Sequence, residues 1–339
     1  MGAGVFGLSI AYMCARRGAK VQIVDPNGPA FGSSGGIVGA LAPHTPERWD
    51  TKKAFQFDSL IAASSFWGGV DEMSGQQSEY VRAGRLQVIN DAHTLNLARE
   101  RIGQAEELWQ GKADWRVVAR SDFGVWAPES PTGLLVHDTL SAIIDPISAC
   151  NSLLSALATL GVSVVPDGPA TGRVVWATGY EGLLQLSDEF GCLVGNGVKG
   201  QAALLQYDAG DVPQIFVDGV HFIPHRNGTV AIGSTSERYF DSPSETDEQL
   251  EDLINRARTI MPLLADAPVL KRWAAVRPRA KTRSPILGRY PGKPGQFIAN
   301  GGFKIGFGMV PKSAKAMADL VLEKIDTIPV EFSVEANIS

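Results

Sequence analysis

The sequence predicts an α/β protein in two parts: a parallel, nucleotide-binding layer assembled from separated segments, and a second α+β domain built on a mostly antiparallel sheet. Three observations predict this. The first is Gly2-x-Gly4-x-x-Gly7, a turn that opens an apolar helical stretch at residues 8–17 and leads to a strand ending in Asp25. The second is the order helix, strand, strand, glycine over residues 141–180, which suits a parallel sheet with a ligand at its carboxyl edge. The third is the alternating, turn-punctuated pattern of residues 200–207, 215–224 and 229–236, which reads as antiparallel strands.

The glycine turn has a physical logic. Gly2 allows a tight turn, Gly4 lets a pyrophosphate approach the backbone, and Gly7 lets helix and sheet pack closely. Free amides at the helix start would face the phosphates, with Val5 as the first helical residue, and Asp25 could accept hydrogen bonds from a ribose hydroxyl. This defines a Rossmann-like domain. The fingerprint is expected to follow a β-strand, yet only Met1 precedes it. Either the reading frame starts late, which is the preferred expectation, or the sheet lacks its centre. In the second case each apolar side chain lost from burial costs roughly 1.5–3 kcal/mol.

The following elements come in order. A small-residue loop, Phe31-Gly-Ser-Ser-Gly-Gly36, leaves amides free for a ligand, with a flexible turn as the alternative. Residues 47–70 carry apolar side chains at helical spacing. Paired strands are expected at 80–89, a helix at 94–110, and strand and loop at 115–133, with 122–131 exposed. Asp145 is a fair cap for a helix with Pro146 in its first turn, closed by Gly161. Short strands follow at 162–166 and 173–180, the latter ending at Gly179. Residues 246–261 read as a helix and 271–279 as a strand returning to the first domain. A strand at 296–300 precedes Gly301-Gly302, and a last helix is expected over 311–324. The nucleotide domain is thus 1–72, 138–190 and 271–325, the second domain 73–137 and 191–270, and the tail 326–339.

Composition bounds the function. The 339 residues suffice for one large or two ordinary domains, and the net charge of −5 gives no general pull towards nucleic acid or anionic membrane. Cys14, Cys150 and Cys192 are widely spaced in apolar surroundings, which suggests buried thiols in a reducing compartment rather than a disulfide framework. No basic-then-apolar leader and no apolar run of 18 residues is present, so a cytoplasmic protein is expected. No metal site is expected.

In ten stretches the chain resembles the glycine oxidase and D-amino-acid oxidase group of FAD-dependent amine oxidoreductases. They are Gly2-Ala-Gly-Val-Phe-Gly-Leu8; Gly32-Ser-Ser-Gly-Gly36 with Gly39-Ala-Leu-Ala-Pro43; Ile144-Asp-Pro146; Val175-Trp-Ala-Thr-Gly179; Gly200-Gln201; Ile223-Pro224; Gly233-Ser-Thr-Ser-Glu237; Trp273-Ala-Ala-Val-Arg-Pro278; Pro285-Ile-Leu-Gly288; and Gly301-Gly-Phe-Lys304.

The resemblance implies FAD rather than NAD, held non-covalently, because no cysteine follows Cys192. It places Gly2, Gly4 and Gly7 on the pyrophosphate and Asp25 on the adenosine ribose. Ser33, Ser34, Gly35 and Gly36 would line the stretch towards the flavin, Ala42 and Pro43 its ring, and Gly301, Gly302, Phe303, Lys304 and Gly306 its pyrimidine end. A helix start there would stabilise the negative charge of reduced flavin. Arg277 takes the carboxylate-binding position, with an interdomain salt bridge as the alternative. Lys304 replaces a second arginine, His221 a tyrosine, Ser236 a methionine, and Gly302 a residue that is often histidine. Glycine is therefore not carried over as substrate. The implied activity is oxidation of the amine of a small amino acid by hydride transfer to flavin N5, giving an imine that hydrolyses, with oxygen or another acceptor reoxidising the cofactor. A sarcosine-type oxidase, a D-amino acid dehydrogenase and a non-catalytic relative are the alternatives. An oxidoreductase module of an RNA-modifying enzyme lacks the basic cluster it needs. Only about eight residues bridge Val165 and Val174, where relatives have a longer hairpin.

Overall fold

The computed structural model describes residues 1–338. In chain order the elements are α1 (Val5–Ala15), β1 (Ile23–Val24), β2 (Ala40–Leu41), α2 (Thr51–Ser74), β3 (Arg85–Val88), α3 (Ala92–Trp109), β4 (Trp115–Ala119), β5 (Leu134–Asp138), β6 (Ala142–Ile143), α4 (Pro146–Thr159), β7 (Val164–Val165) and β8 (Val174–Trp176). Then come α5 (Gly179–Phe190), β9 (Gly195–Gln206), β10 (Gln214–Val217), β11 (Val220–His225), β12 (Thr229–Gly233), α6 (Glu248–Ile260), β13 (Val269–Ala280), β14 (Ile286–Arg289), β15 (Gln296–Asn300) and α7 (Gly306–Ala318).

Local chemistry sets the helix ends. Asp50, Asp91 and Asp145 accept from the amides of Lys53, Thr94 and Ser148 at 2.7–2.9 Å, each satisfying an otherwise orphaned donor. Helices α1, α2, α4 and α7 share one core, in which Tyr12, Leu60, Trp67, Leu153 and Met309 are fully shielded from solvent. Helix α6 lays Leu250, Leu253 and Ile254 against Phe222 and Ile232 of the large sheet.

That sheet has eight strands in the order β13-β9-β12-β11-β10-β3-β5-β4. All its neighbours are antiparallel except β10 and β3. Strand β13 pairs with β9 along its length, Arg277 opposite Val198, so the segment from Lys271 extends the second sheet. The nucleotide side is divided into a parallel pair, β1 and β7, and a three-stranded sheet β14-β15-β8 in which β15 and β8 are parallel.

Met1 stands between these two small sheets. Its amine donates to the Val175 carbonyl at 2.9 Å and its carbonyl accepts from the Ala177 amide at 2.8 Å, while the Gly2 amide donates to the Val24 carbonyl at 2.8 Å. Beside it, a cavity of about 450 Å³ separates the facing edges at Gln22–Val24 and Arg173–Val175, floored by Ile10, Ala11 and Cys14. In parallel strands the groups of alternate residues point to one side. The Val24 and Val175 amides therefore face this cavity.

Two expectations are corrected, and two features lie outside the sequence reading. The last helix begins at Gly306, five residues before the predicted start, with Pro311 inside it, and it passes into a wider turn that ends at Lys324. Residues 122–131 are not all exposed: Trp126 is buried, stacks on Tyr207 and donates Nε1 to the Pro213 carbonyl at 2.8 Å. Helix α5 is absent from the sequence reading, because its apolar Leu183 and Leu186 are too few to declare a period beside a strand. The tail is also packed, with Phe332 fully buried 5.1 Å from the Phe55 ring.

Candidate active site

The glycine turn is built without space for side chains. Gly2 sits at φ +99°, and a Cβ on it would stand 2.2 Å from the Ala177 carbonyl oxygen. Helix α1 starts at Val5 with no acidic residue in its first turn, leaving its positive end for an external anion. The Val5 amide donates to Ser34 Oγ at 2.9 Å, which ties the small-residue loop to the helix start. Asp25 binds the same turn: its Oδ2 accepts from the Ala3 amide at 2.7 Å and its Oδ1 from the Asn27 amide at 3.0 Å. Each carboxylate oxygen keeps a further lone pair, so a ribose hydroxyl could still donate to it.

A cavity of about 880 Å³ runs from this turn towards the large sheet. One end holds Asp25, Ser33, Ser34 and the start of α1; the other holds Phe216, His221, Ser234, Arg277 and Lys304. Between them, the Trp273 ring lies where a Cβ on Gly36 would meet it at 3.3 Å. Gly301, at φ +75°, and Phe303, at φ +45°, turn the chain into α7, whose first residues Gly306 and Phe307 reach the cavity.

The far end is cationic. Arg277 donates to Ser234 Oγ at 2.7 Å, to the Thr235 carbonyl at 2.7 Å and to the Lys199 carbonyl at 3.2 Å, while its Nε is buried without a partner. It makes no ion pair among the described residues, so the interdomain salt bridge is not what holds it. Burial lowers its pKa to about 10 against the opposing pull of Glu237. Lys304 is also lowered, first by burial and then by Arg277. His221 is held neutral: burial, then the charges of Arg85 and Lys304, push it down to about 3. Its Nδ1 is buried and unpartnered, and the ring lies 4.5 Å from that of Phe216. Arg85 itself is paired with Asp138 at 2.9 Å.

The cavity brings together Gly2, Gly4, Val5, Asp25, Ser33, Ser34, Gly36, Gly179, His221, Arg277, Gly301, Gly302, Phe303, Lys304 and Gly306. It does not include Ser236, which is exposed; Ser234, two residues earlier, takes its place beside Arg277. Ala42 and Pro43 lie behind the wall, the Ala42 carbonyl accepting from Gln56 at 3.1 Å, and Ile37, Val38, Gly39 and Ala40 form the lining instead. Gly35 and Gly7 are likewise outside it. Gly7 sits against the Gly2 carbonyl. Sequence reasoning missed Trp273, Thr178 and Ser234. All three stand inside motifs already singled out, and strand parity with Arg277 could have drawn attention to Trp273.

A glycine-turned helix start, a cavity leading from it to a cationic pocket and a large sheet covering that pocket define a nucleotide-cofactor oxidoreductase fold. Residues 1–320 match the DAO family, FAD dependent oxidoreductase. The chain belongs to this family, and family and fold together imply FAD. Its stretch of 125 residues is 34% identical to glycine oxidase of Pseudomonas aeruginosa, covering 37% of this chain and 34% of that one. Over 355 residues it is 25% identical to the bifunctional protein ThiO/ThiG of a Nostoc species, covering 96% of this chain and 52% of that one. The chain therefore spans between a third and about half the length of these curated relatives. The crystal structure of glycine oxidase from Geobacillus kaustophilus superposes with a TM-score of 0.82 at 19% identity, covering 98% of this chain and 96% of that one. No helix among the described residues is long and apolar enough to cross a membrane.

Proposed function

We propose that this protein oxidises the amine of a small amino acid, a D-amino acid or a glycine-like one, using FAD bound along the long cavity. The observation that carries the reading is the continuity of that cavity from the start of α1 to the guanidinium of Arg277. FAD, when bound, supplies the acceptor for the substrate's hydride, and the resulting imine hydrolyses in water. The fit is judged from the chain itself: a backbone cradle at Gly2 and Gly4, an anion-seeking helix start, and a second helix start at Gly306.

Gly2, Gly4, Val5, Ser33 and Ser34 would hold the pyrophosphate, Asp25 the ribose, and Gly301 to Gly306 the pyrimidine end. Arg277 would take the substrate carboxylate with an N–H group that Ser234, Thr235 and Lys199 leave free, its charge strengthening that hydrogen bond. Because those partners already fix the guanidinium, little ordering remains when substrate binds. His221, neutral, adds a polar contact without adding charge, and Phe216, Trp273 and Phe303 keep water from the amine-bearing carbon. No acid–base pair is required of the protein.

The test is spectroscopic. The purified protein, loaded with FAD, is mixed anaerobically with D- and L-amino acids, glycine and sarcosine. Bleaching near 450 nm by one class identifies the substrate, and readmitted oxygen separates an oxidase from a dehydrogenase that needs another acceptor. A protein that cannot be loaded with FAD refutes the reading.

A further inference from the structure

The pocket end of the cavity carries more positive charge than one carboxylate balances. Three cationic groups surround a single ring: the guanidinium carbons of Arg277 and Arg279 lie 5.8 and 5.9 Å from the Phe303 centroid, and the Lys304 ammonium lies 5.8 Å from it. Arg277 and Arg279 sit two residues apart on β13 and so share one face of the strand. An isolated bridge between Arg279 and Gly302 holds the Phe303 turn against that face.

None of the three is in an ion pair among the described residues. Their cationic neighbours are: Arg85 pairs with Asp138 at 2.9 Å, and Lys199 with Asp247 at 3.3 Å and Glu237 at 3.6 Å. Glu237, the acid felt by Arg277, is already engaged by Lys199, Gln201 and Thr235. An aromatic face offsets part of the charge of one nearby cation, by about 0.5–2 kcal/mol. Three cations sharing one ring still repel each other, and beside its burial Arg277 adds to the lowering of Lys304. Such a cluster lowers its free energy by binding anions.

We propose that the substrate is a dianion, an amino acid bearing a second carboxylate, with one carboxylate on Arg277 and the other on Lys304, the two of the three cations that line the cavity. The inference rests on the reading of this cavity as an amine-oxidising site. Arg277 provides a rigid, buried cation. Lys304, the most solvent-accessible of the three, provides a mobile point charge that suits a second carboxylate at variable distance. His221 Nδ1, unpartnered in the same pocket, adds hydrogen bonding without further charge.

The test is binding rather than turnover. Acetate, malonate and succinate are titrated at constant ionic strength into the FAD-loaded protein, following the flavin absorption band, and into the protein without added FAD, following heat. A second charge-assisted contact predicts that at least one dicarboxylate binds about ten-fold or more tightly than acetate. Lys304→Met should bring that ratio to within two-fold of one, and Lys304→Arg should restore it. Equal affinity for acetate and both dicarboxylates in both titrations overturns the proposal, as does a Lys304→Met ratio equal to that of the parent, which would assign the charge to the flavin edge instead. Bleaching by a monocarboxylate amino acid alongside equal acetate and malonate affinities would sink the dianion and leave amine oxidation standing. Failure to load FAD removes the oxidase reading while the heat titration still decides the anion preference.

Discussion

The carbonyl oxygen of Gly2 lies 2.0 Å from where a Cβ on Gly7 would stand. The two glycines are therefore one device, the turn closing on the first turn of α1 with no atom to spare. Gly7→Ala and Gly2→Ala should each displace the turn and reduce FAD retention by at least ten-fold. Gly4→Ala meets only the movable Ser34 hydroxyl, at 3.1 Å, and should keep the fold with a smaller loss. The ratio of flavin to protein absorbance, with circular dichroism as control for folding, checks the series.

Arg277 is fixed by two carbonyls and a hydroxyl, so its loss removes both a charge and their donors. Charge-assisted hydrogen bonds contribute about 1.5–3 kcal/mol. Arg277→Ala should then lower kcat/KM for carboxylate substrates by roughly 10- to 150-fold and that for uncharged amines much less. Arg277→Lys should not restore it, because an ammonium cannot serve three directions and a carboxylate from one plane. Equal losses for both substrate classes would reject the assignment.

His221 gives a pH dependence whose sign is fixed. Its folded pKa is depressed to about 3 from an ordinary 6.5, by burial and by Arg85 and Lys304. Between these values the unfolded chain binds the extra proton, so stability rises with pH across the window and is lost on acidification, by up to about 1.4 kcal/mol per pH unit. His221→Asn should flatten this part of a urea-midpoint profile between pH 3 and 6.5. An unchanged slope would show that the imidazole titrates normally.

Asp25 serves the turn before it serves any ligand. Asp25→Ala strands the amides of Ala3 and Asn27, at about 1–3 kcal/mol for each that is left unsatisfied, and should lower both Tm and FAD affinity. Asp25→Asn keeps one carbonyl acceptor and should fall between. Thermal unfolding with and without added FAD separates the two effects.

Much of this site was legible in the chain. Gly2, Gly4 and Asp25 act within one turn, where a missing Cβ or a short acceptor speaks for itself, and the cap at Asp145 follows from the same local chemistry. Ala42 and Pro43 were misplaced because the motif specifies a loop, while which of its residues face inward depends on where Gln56 of α2 draws the Ala42 carbonyl. Ser236 failed for a similar reason: strand β12 ends at Gly233, and the parity that carries a residue inward ends with it.

The sequence by itself determined the two-part α/β architecture and the glycine turn, because backbone period and glycine's freedom at positive φ are local properties, and its ten motifs carried the resemblance to the family. Only the tertiary structure decided that Ser34 caps α1, that Trp273 covers Gly36, that Met1 bonds to one small sheet and Gly2 to the other, and that Arg277, Arg279 and Lys304 converge on Phe303. Most of these contacts join residues tens to hundreds of positions apart. They exist because strands and helices pack as wholes, and no local pattern records which surfaces will meet.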